Sequence, residues 1–251
     1  MAVSEDKYFP AIVSYMVHKT SSLIKSKLTT DQMEMFRKTS FGPLLDVNLV
    51  FNGQLFHHFL LREVREDSTD SISFNILGKK VTFTQEDFNL VTELWPTEET
   101  VDRDTCSERL RRLILGPRDP NDKKEKLVKD VEVAFEKTIF TNDQNAVKVA
   151  LALYIETVMM GKDKKTQFDM KIFGIVDDFE VFANYDWSSV FFNRLLSSMK
   201  TIMRGKKEVH DIKKANNPKH ITYYCIKGYV LAFQVRFSPL YASTIIFPYF
   251  A

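Results

Sequence analysis

The sequence has little glycine and little proline, eight of each in 251 residues, and only two cysteines. Scarce turn formers argue against a β-sandwich, whose many short strands need frequent turns, and favour long helices with compact connections. Cys106 and Cys225 lie far apart and match no zinc or redox spacing, so no disulfide is expected and a reducing compartment is. An excess of one charge is missing as well. The 35 basic and 33 acidic side chains leave a net charge of +2, too weak a field for the whole molecule to hold a polyanion. Any nucleic-acid surface must therefore be local. A long hydrophobic run is also absent, because the nearly all-apolar stretch Val147 to Met160 falls short of the roughly 20 residues that cross a bilayer. It is expected as a central core helix. At the N-terminus, Glu5 and Asp6 precede a segment interrupted by His18 and Lys19, which excludes the apolar core of a signal peptide. These absences predict a soluble, intracellular protein with no membrane partner.

What is present is apolar mass: 44% hydrophobic residues, among them 21 phenylalanines, are ample for a packed core. Pro10 suits the first turn of a helix predicted to run to about Leu28. A second helix is expected from an N-cap at Thr30 or Asp31. Asn52-Gly53 marks a turn into a helix over 54–64, on which Leu55, Phe59, Leu60 and Val64 form one buried stripe. Polar and apolar residues then alternate in Ser71–Ile76 and Lys80–Phe83 around a Leu77-Gly78-Lys79 turn, the clearest hairpin signal in the chain. Thr84 and Asp87 form a capping box with the short carboxylate in place of glutamate. A basic helix follows with Arg109, Arg111 and Arg112, and Gly116-Pro117-Arg118-Asp119-Pro120 reads as a surface loop. Further helices are predicted over 127–138, 143–160, 172–183, 187–204 and 222–235.

The fold class expected is therefore mainly α with an α+β element: a multi-helix domain with one small antiparallel β-hairpin near residues 71–83. Its organisation is read as an N-terminal helical extension (1–35), a single domain over 36–235 with packed lobes at 36–94 and 125–235, and a divergent apolar tail (236–251). No Gly/Ser-rich linker and no fixed-period repeat divides it.

The candidates for chemistry are scattered. His57 and His58 diverge by about 100° on a helix and cannot face one metal, so one is expected packed and the other exposed. Cys225 with His210 or His220 has the residue types of a cysteine protease, but Tyr223-Tyr-Cys-Ile-Lys-Gly-Tyr229 lacks the small and polar neighbours of a nucleophile, and a buried structural thiol is expected. Asp177-Asp178 point to different faces and are expected to cap the helix that follows. Gly78-Lys79-Lys80 lacks the rest of a phosphate-binding loop. No cofactor and no small-molecule substrate is indicated.

One stretch concentrates charge. Lys200, Arg204, Lys206, Lys207, Lys213, Lys214 and Lys219 face only Glu208 and Asp211, a local charge of +5 with histidines neutral. Such a run contacts phosphates or serves as a nuclear-localisation signal. A solvated loop is the favoured reading, because the interleaved aromatics of a single-strand binder are missing.

From Phe36-Arg-Lys-Thr-Ser-Phe-Gly42 through Gly53–Val64 and Gly78–Phe83 to Phe88–Leu94, the chain resembles the opening of a plant domain of unknown function. That domain lies N-terminal to Ulp-type SUMO-protease domains in Mutator-like, transposon-derived proteins. Asn145–Tyr154, Gly161-Lys-Asp163, Val176–Phe182, Asn184–Trp187 and Gly228–Val235 resemble its later blocks, and the family is distantly similar to the plant mobile domain. The resemblance spans about 36–235 and implies a non-catalytic module of a plant nuclear protein, meeting a protein or DNA partner. In such proteins the protease domain follows and carries its own His, Asp, Gln and Cys, so protease activity is not expected to transfer to a chain ending at Ala251. The tail after Val235 departs from the family pattern and reads as a truncated or alternative end. The competing class is a SUMO/ubiquitin-like protease, or its dead remnant, acting through Cys225. A third expectation is a chain that folds poorly.

Overall fold

The structure is a computed structural model that describes residues 8–15, 19–97, 107–117 and 124–246. Cys106, the readings at Glu5, Asp6 and His18, the Arg118–Pro120 part of the expected loop and the last five residues lie outside the described residues. In chain order the elements begin β1 (Ala11–Tyr15), α1 (Thr20–Lys27), α2 (Thr30–Arg37), α3 (Gly42–Leu45), α4 (Gly53–Leu61), β2 (Glu63–Val64), β3 (Ile72–Ile76), β4 (Lys79–Phe83) and α5 (Gln85–Thr92). They continue α6 (Arg109–Leu115), α7 (Val128–Lys137), α8 (Asp143–Tyr154), α9 (Lys171–Asp177), α10 (Phe179–Asn184), α11 (Trp187–Ile202), α12 (Lys206–Asn216), β5 (Thr222–Ile226) and α13 (Val230–Ile246). The protein is mainly α with a small antiparallel sheet, as the composition requires.

The chain divides into two compact units. The first gathers the start of the chain, residues 49–94 and the part from 188 onward. It holds the antiparallel sheet, in order β2-β3-β4, and a separate parallel pair, β1 with β5. The hairpin forms where the alternation placed it: Leu77 and Gly78 both take positive φ, the geometry of a tight two-residue turn between twisted strands. The Thr84–Asp87 capping box is present in full and starts α5 directly from β4. Phe59, Phe74, Phe83, Phe233 and Phe237 meet ring to ring between α4, the sheet and α13. Buried Gln234 clamps the loop before α4, accepting from the Asn52 N–H and donating to the Val50 carbonyl.

The second unit covers 16–48 and 95–187, and its described elements are helices. α8 is its axis: Ala146, Val149, Ala150, Ala152, Leu153 and Tyr154 are fully buried, and small alanines let neighbouring helices approach closely. After Tyr154 the helix widens into a π-helical turn, Ile155–Met159. That turn turns Glu156 inward, where Lys162 and the Asp169 N–H satisfy its carboxylate at 2.6 and 2.7 Å. Without those partners a buried carboxylate would be costly.

Several sequence expectations need correction. The single helix expected from Pro10 to Leu28 is a strand, β1, followed by the shorter α1. Ala11–Tyr15 carries the β-branched and aromatic residues of a strand, and its partner β5 lies about 200 residues away, beyond local pattern reading. For the same reason the helix expected from Thr222 is β5, with α13 starting at Val230. The α2 cap is Thr29, in a capping box with Gln32. The helix expected over 172–183 is two, α9 and α10, broken at Asp178 because its side chain caps the second by accepting from Glu180 and Val181 N–H. Val64, expected on the α4 stripe, lies in β2. Residues 236–246 of the tail continue α13, and Phe237 packs in the core.

Candidate functional site

The expected basic loop is mostly a helix. Gly205 turns the chain after α11 with φ +68°, and α12 follows with Glu208 in its first turn and Lys213 and Lys214 in its last, the arrangement that the helix dipole favours. Lys207 and Asp211, one turn apart, pair at 2.5 Å and add local support. His210 is the one buried residue of α12; its Nδ1 lies 2.9 Å from Thr222 Oγ1, and its ring packs on Phe9. On the far side Val209 and Ile212 are exposed, Ile212 at 64%. The amphipathic pattern is thus inverted, with a histidine facing in and aliphatic side chains facing out.

α12, the end of α11 and the strand β2 enclose a groove of about 1190 Å³ within the first unit. Lys200, Arg204 and Lys207 line it. Lys206, Lys213, Lys214 and Lys219 do not, and the last three are exposed. The seven basic residues therefore do not all line the groove. Lys200 is half-buried and donates to the Ser68 carbonyl at 2.5 Å, so its charge is already engaged. The opposite wall brings Glu63, Arg65, Glu66 and Ser68, none of which the sequence pattern had singled out.

Glu63 is the unusual group. The register pairs it with Phe74, and the Asn75 N–H donates to the Arg62 carbonyl, which makes Glu63–Phe74 a non-hydrogen-bonded pair. The Glu63 backbone N–H and C=O consequently point away from β3, and the side chain lies on the Phe74 side of the sheet. Burial pushes its carboxyl above the usual carboxylate range, against the pull of Arg65, Lys200 and Arg204. Glu66, by contrast, is held by Lys80 at 2.5 Å and by Ser73 at 2.9 Å.

The catalytic candidates are not brought together. In β5, Thr222, Tyr224 and Ile226 are buried, while Tyr223 and Cys225 face the other way. His210 is bonded to Thr222 and so lies on the side opposite Cys225. Cys225 is half-exposed, not the buried thiol expected, because the two-stranded β1–β5 pair leaves that face only partly covered. Its Sγ contacts the Ile226 carbonyl at 3.6 Å. His57 is buried and His58 exposed, as helical geometry requires. Asp178 caps α10, whereas Asp177 is gripped by Arg109 at 2.6 and 3.0 Å and by Lys148 at 3.2 Å. Burial alone would raise the Asp177 carboxyl; the hydrogen bonds from Arg109 and Lys148 outweigh it and hold it below the usual range.

These features define a mainly helical protein with a groove walled by charged and hydroxyl side chains alongside apolar ones such as Phe9, Leu60 and Leu196. The chain belongs to the family described as Domain of unknown function (DUF1985), whose model matches residues 60–198, more than half of its length. The match runs from the end of α4 into α11, so it takes in Glu63 but neither α12 nor the basic residues from Lys200 onward. No curated protein and no solved structure matches the chain. Among the described residues, no helix is long and apolar enough to cross a membrane.

Proposed function

We propose that this chain is a non-catalytic binding module of a plant, transposon-derived nuclear protein, and that α12 is a surface through which it meets a protein partner. The observation that carries the reading is the exposure of Val209 and Ile212 beside Lys213 on a helix anchored by His210 alone. An apolar stripe rimmed by cations suits a partner that presents apolar residues flanked by Asp or Glu. Nucleic-acid phosphates would engage the lysines and leave Val209 and Ile212 in water, so they fit less well. The plant, Ulp-associated and transposon context comes from the resemblance of the blocks between Phe36 and Val235, and in it catalysis belongs to a separate protease domain of longer relatives.

The test is a salt series with duplex and single-stranded DNA, run on the wild-type chain and on a variant with Lys206, Lys207, Lys213 and Lys214 changed to glutamine. The reading expects no appreciable DNA binding near physiological salt. Binding that weakens steeply with salt and vanishes in the variant would replace the protein partner with nucleic acid. The positive arm is crosslinking in nuclear extract, where a Val209→Lys/Ile212→Lys variant should lose the acidic partner that the wild type captures.

A further inference from the structure

We propose that the groove beside β2 binds an extended peptide segment carrying a lysine or arginine, and that Glu63 receives its cation. The proposal is independent of the α12 surface, which faces out of the groove. Three observations converge on it. First, β2 is the edge strand of its sheet, and its register turns the Glu63 N–H and C=O outward, where an added strand can bond them. Second, the groove of about 1190 Å³ exceeds the roughly 300–1,000 Å³ usual for small-molecule pockets and suits a length of chain.

Third, the charges of the groove are unevenly committed. Glu66 is held by Lys80 and Ser73, Asp211 by Lys207, and the Lys200 ammonium by the Ser68 carbonyl. Glu63 is partly withdrawn from water and, among the described residues, makes no hydrogen bond through its carboxylate. Polar groups taken out of water normally find partners, and a carboxylate that lacks one gains most from a charge-assisted donor. Arg65, Lys200 and Arg204 give the groove cations of its own and would draw an acidic ligand instead. They relieve Glu63 only in part: burial still raises its pKa against their fields. An acidic ligand would leave that carboxylate as unpaired as before, whereas an ammonium or guanidinium would pair it.

Fluorescein-labelled heptapeptides of alternating valine and serine, with a single central lysine, norleucine or glutamate, test this by fluorescence anisotropy with the full chain. The lysine peptide should bind on the order of tenfold or more tightly than the norleucine peptide, the usual scale of a hydrogen bond to a charged group. Glu63→Gln should erase that preference while the thermal melt stays cooperative, and Val209→Lys/Ile212→Lys should leave it intact. Equal binding of lysine and norleucine peptides, or none by any peptide, overturns the proposal. So does a glutamate preference that Arg204→Gln removes, which would make the groove an acid-binding site.

Discussion

His57 and Tyr224, 167 residues apart, share a buried hydrogen bond of 2.8 Å. The imidazole Nε2 meets the Phe9 carbonyl at 2.5 Å, and since a carbonyl only accepts, Nε2 carries the proton and Nδ1 accepts from the tyrosine hydroxyl. One neutral histidine on α4 thus ties together Phe9, two residues ahead of β1, and the middle of β5.

That arrangement gives a pH dependence. Desolvation holds the His57 pKa below its ordinary value, opposed in part by the Phe9 carbonyl and reinforced by His58. The folded state therefore binds fewer protons than the unfolded chain near pH 6.5, so this contribution is complete above about pH 6.5 and is lost as pH falls toward the lower folded value. Thermal melts from pH 8 to 5 should fall below about pH 6.5. In a His57→Gln variant, less stable throughout, the slope of that limb should be shallower.

Gly228, between β5 and α13, has φ +95°, and a Cβ added there would lie 2.9 Å from Leu195 Cα. Both the backbone strain and the collision with α11 oppose a side chain, and the struck atom is backbone that cannot swing aside. Gly228→Ala should cost about 3 kcal/mol in urea unfolding.

Cys225 offers a direct check on thiol catalysis. Half-exposed and on the face of β5 away from His210, it should be alkylated by iodoacetamide in the native state at a rate that His210→Ala and His220→Gln leave unchanged. In a Cys106→Ser background, a marked slowing in either histidine variant would reveal an activated pair.

Glu63 should behave as a residue kept at a cost to stability. Its raised pKa means that the folded state favours the protonated form, so this contribution is present below the unfolded pKa and lost as pH rises through the folded one. Glu63→Gln should therefore raise the melting temperature at pH 7 and leave it nearly unchanged at pH 4. A purely structural carboxylate would show the opposite at neutral pH.

Where local signals agreed, the sequence was sufficient. The hairpin, its turn, the Thr84 cap, the α4 face and the buried α8 each rest on contacts within about a dozen residues. The parallel β1–β5 pair was illegible because neither strand's five residues determine a partner some 200 positions away. Helix α12 escaped for another reason: its single buried residue is a histidine, so no apolar stripe marks its inner face, and only the Lys207–Asp211 spacing hinted at a helix. Glu63 was unreadable because its importance lies in the edge position of β2 and in which way the register turns it.

The β1–β5 register also sets a schedule. Ala11 aligns with Thr222, so β1 leaves the ribosome long before its partner exists. At roughly 5–20 residues per second, the interval is on the order of 10–40 s. The second unit has its whole sequence once Trp187 has emerged, whereas the first must hold Phe9, Ala11 and Val13 uncovered until β5 has been made. Folding is then ordered by synthesis, inner segments first. The vulnerable intermediate is a nascent chain whose strand β1 waits unpaired, the stage at which a holding chaperone has most to protect.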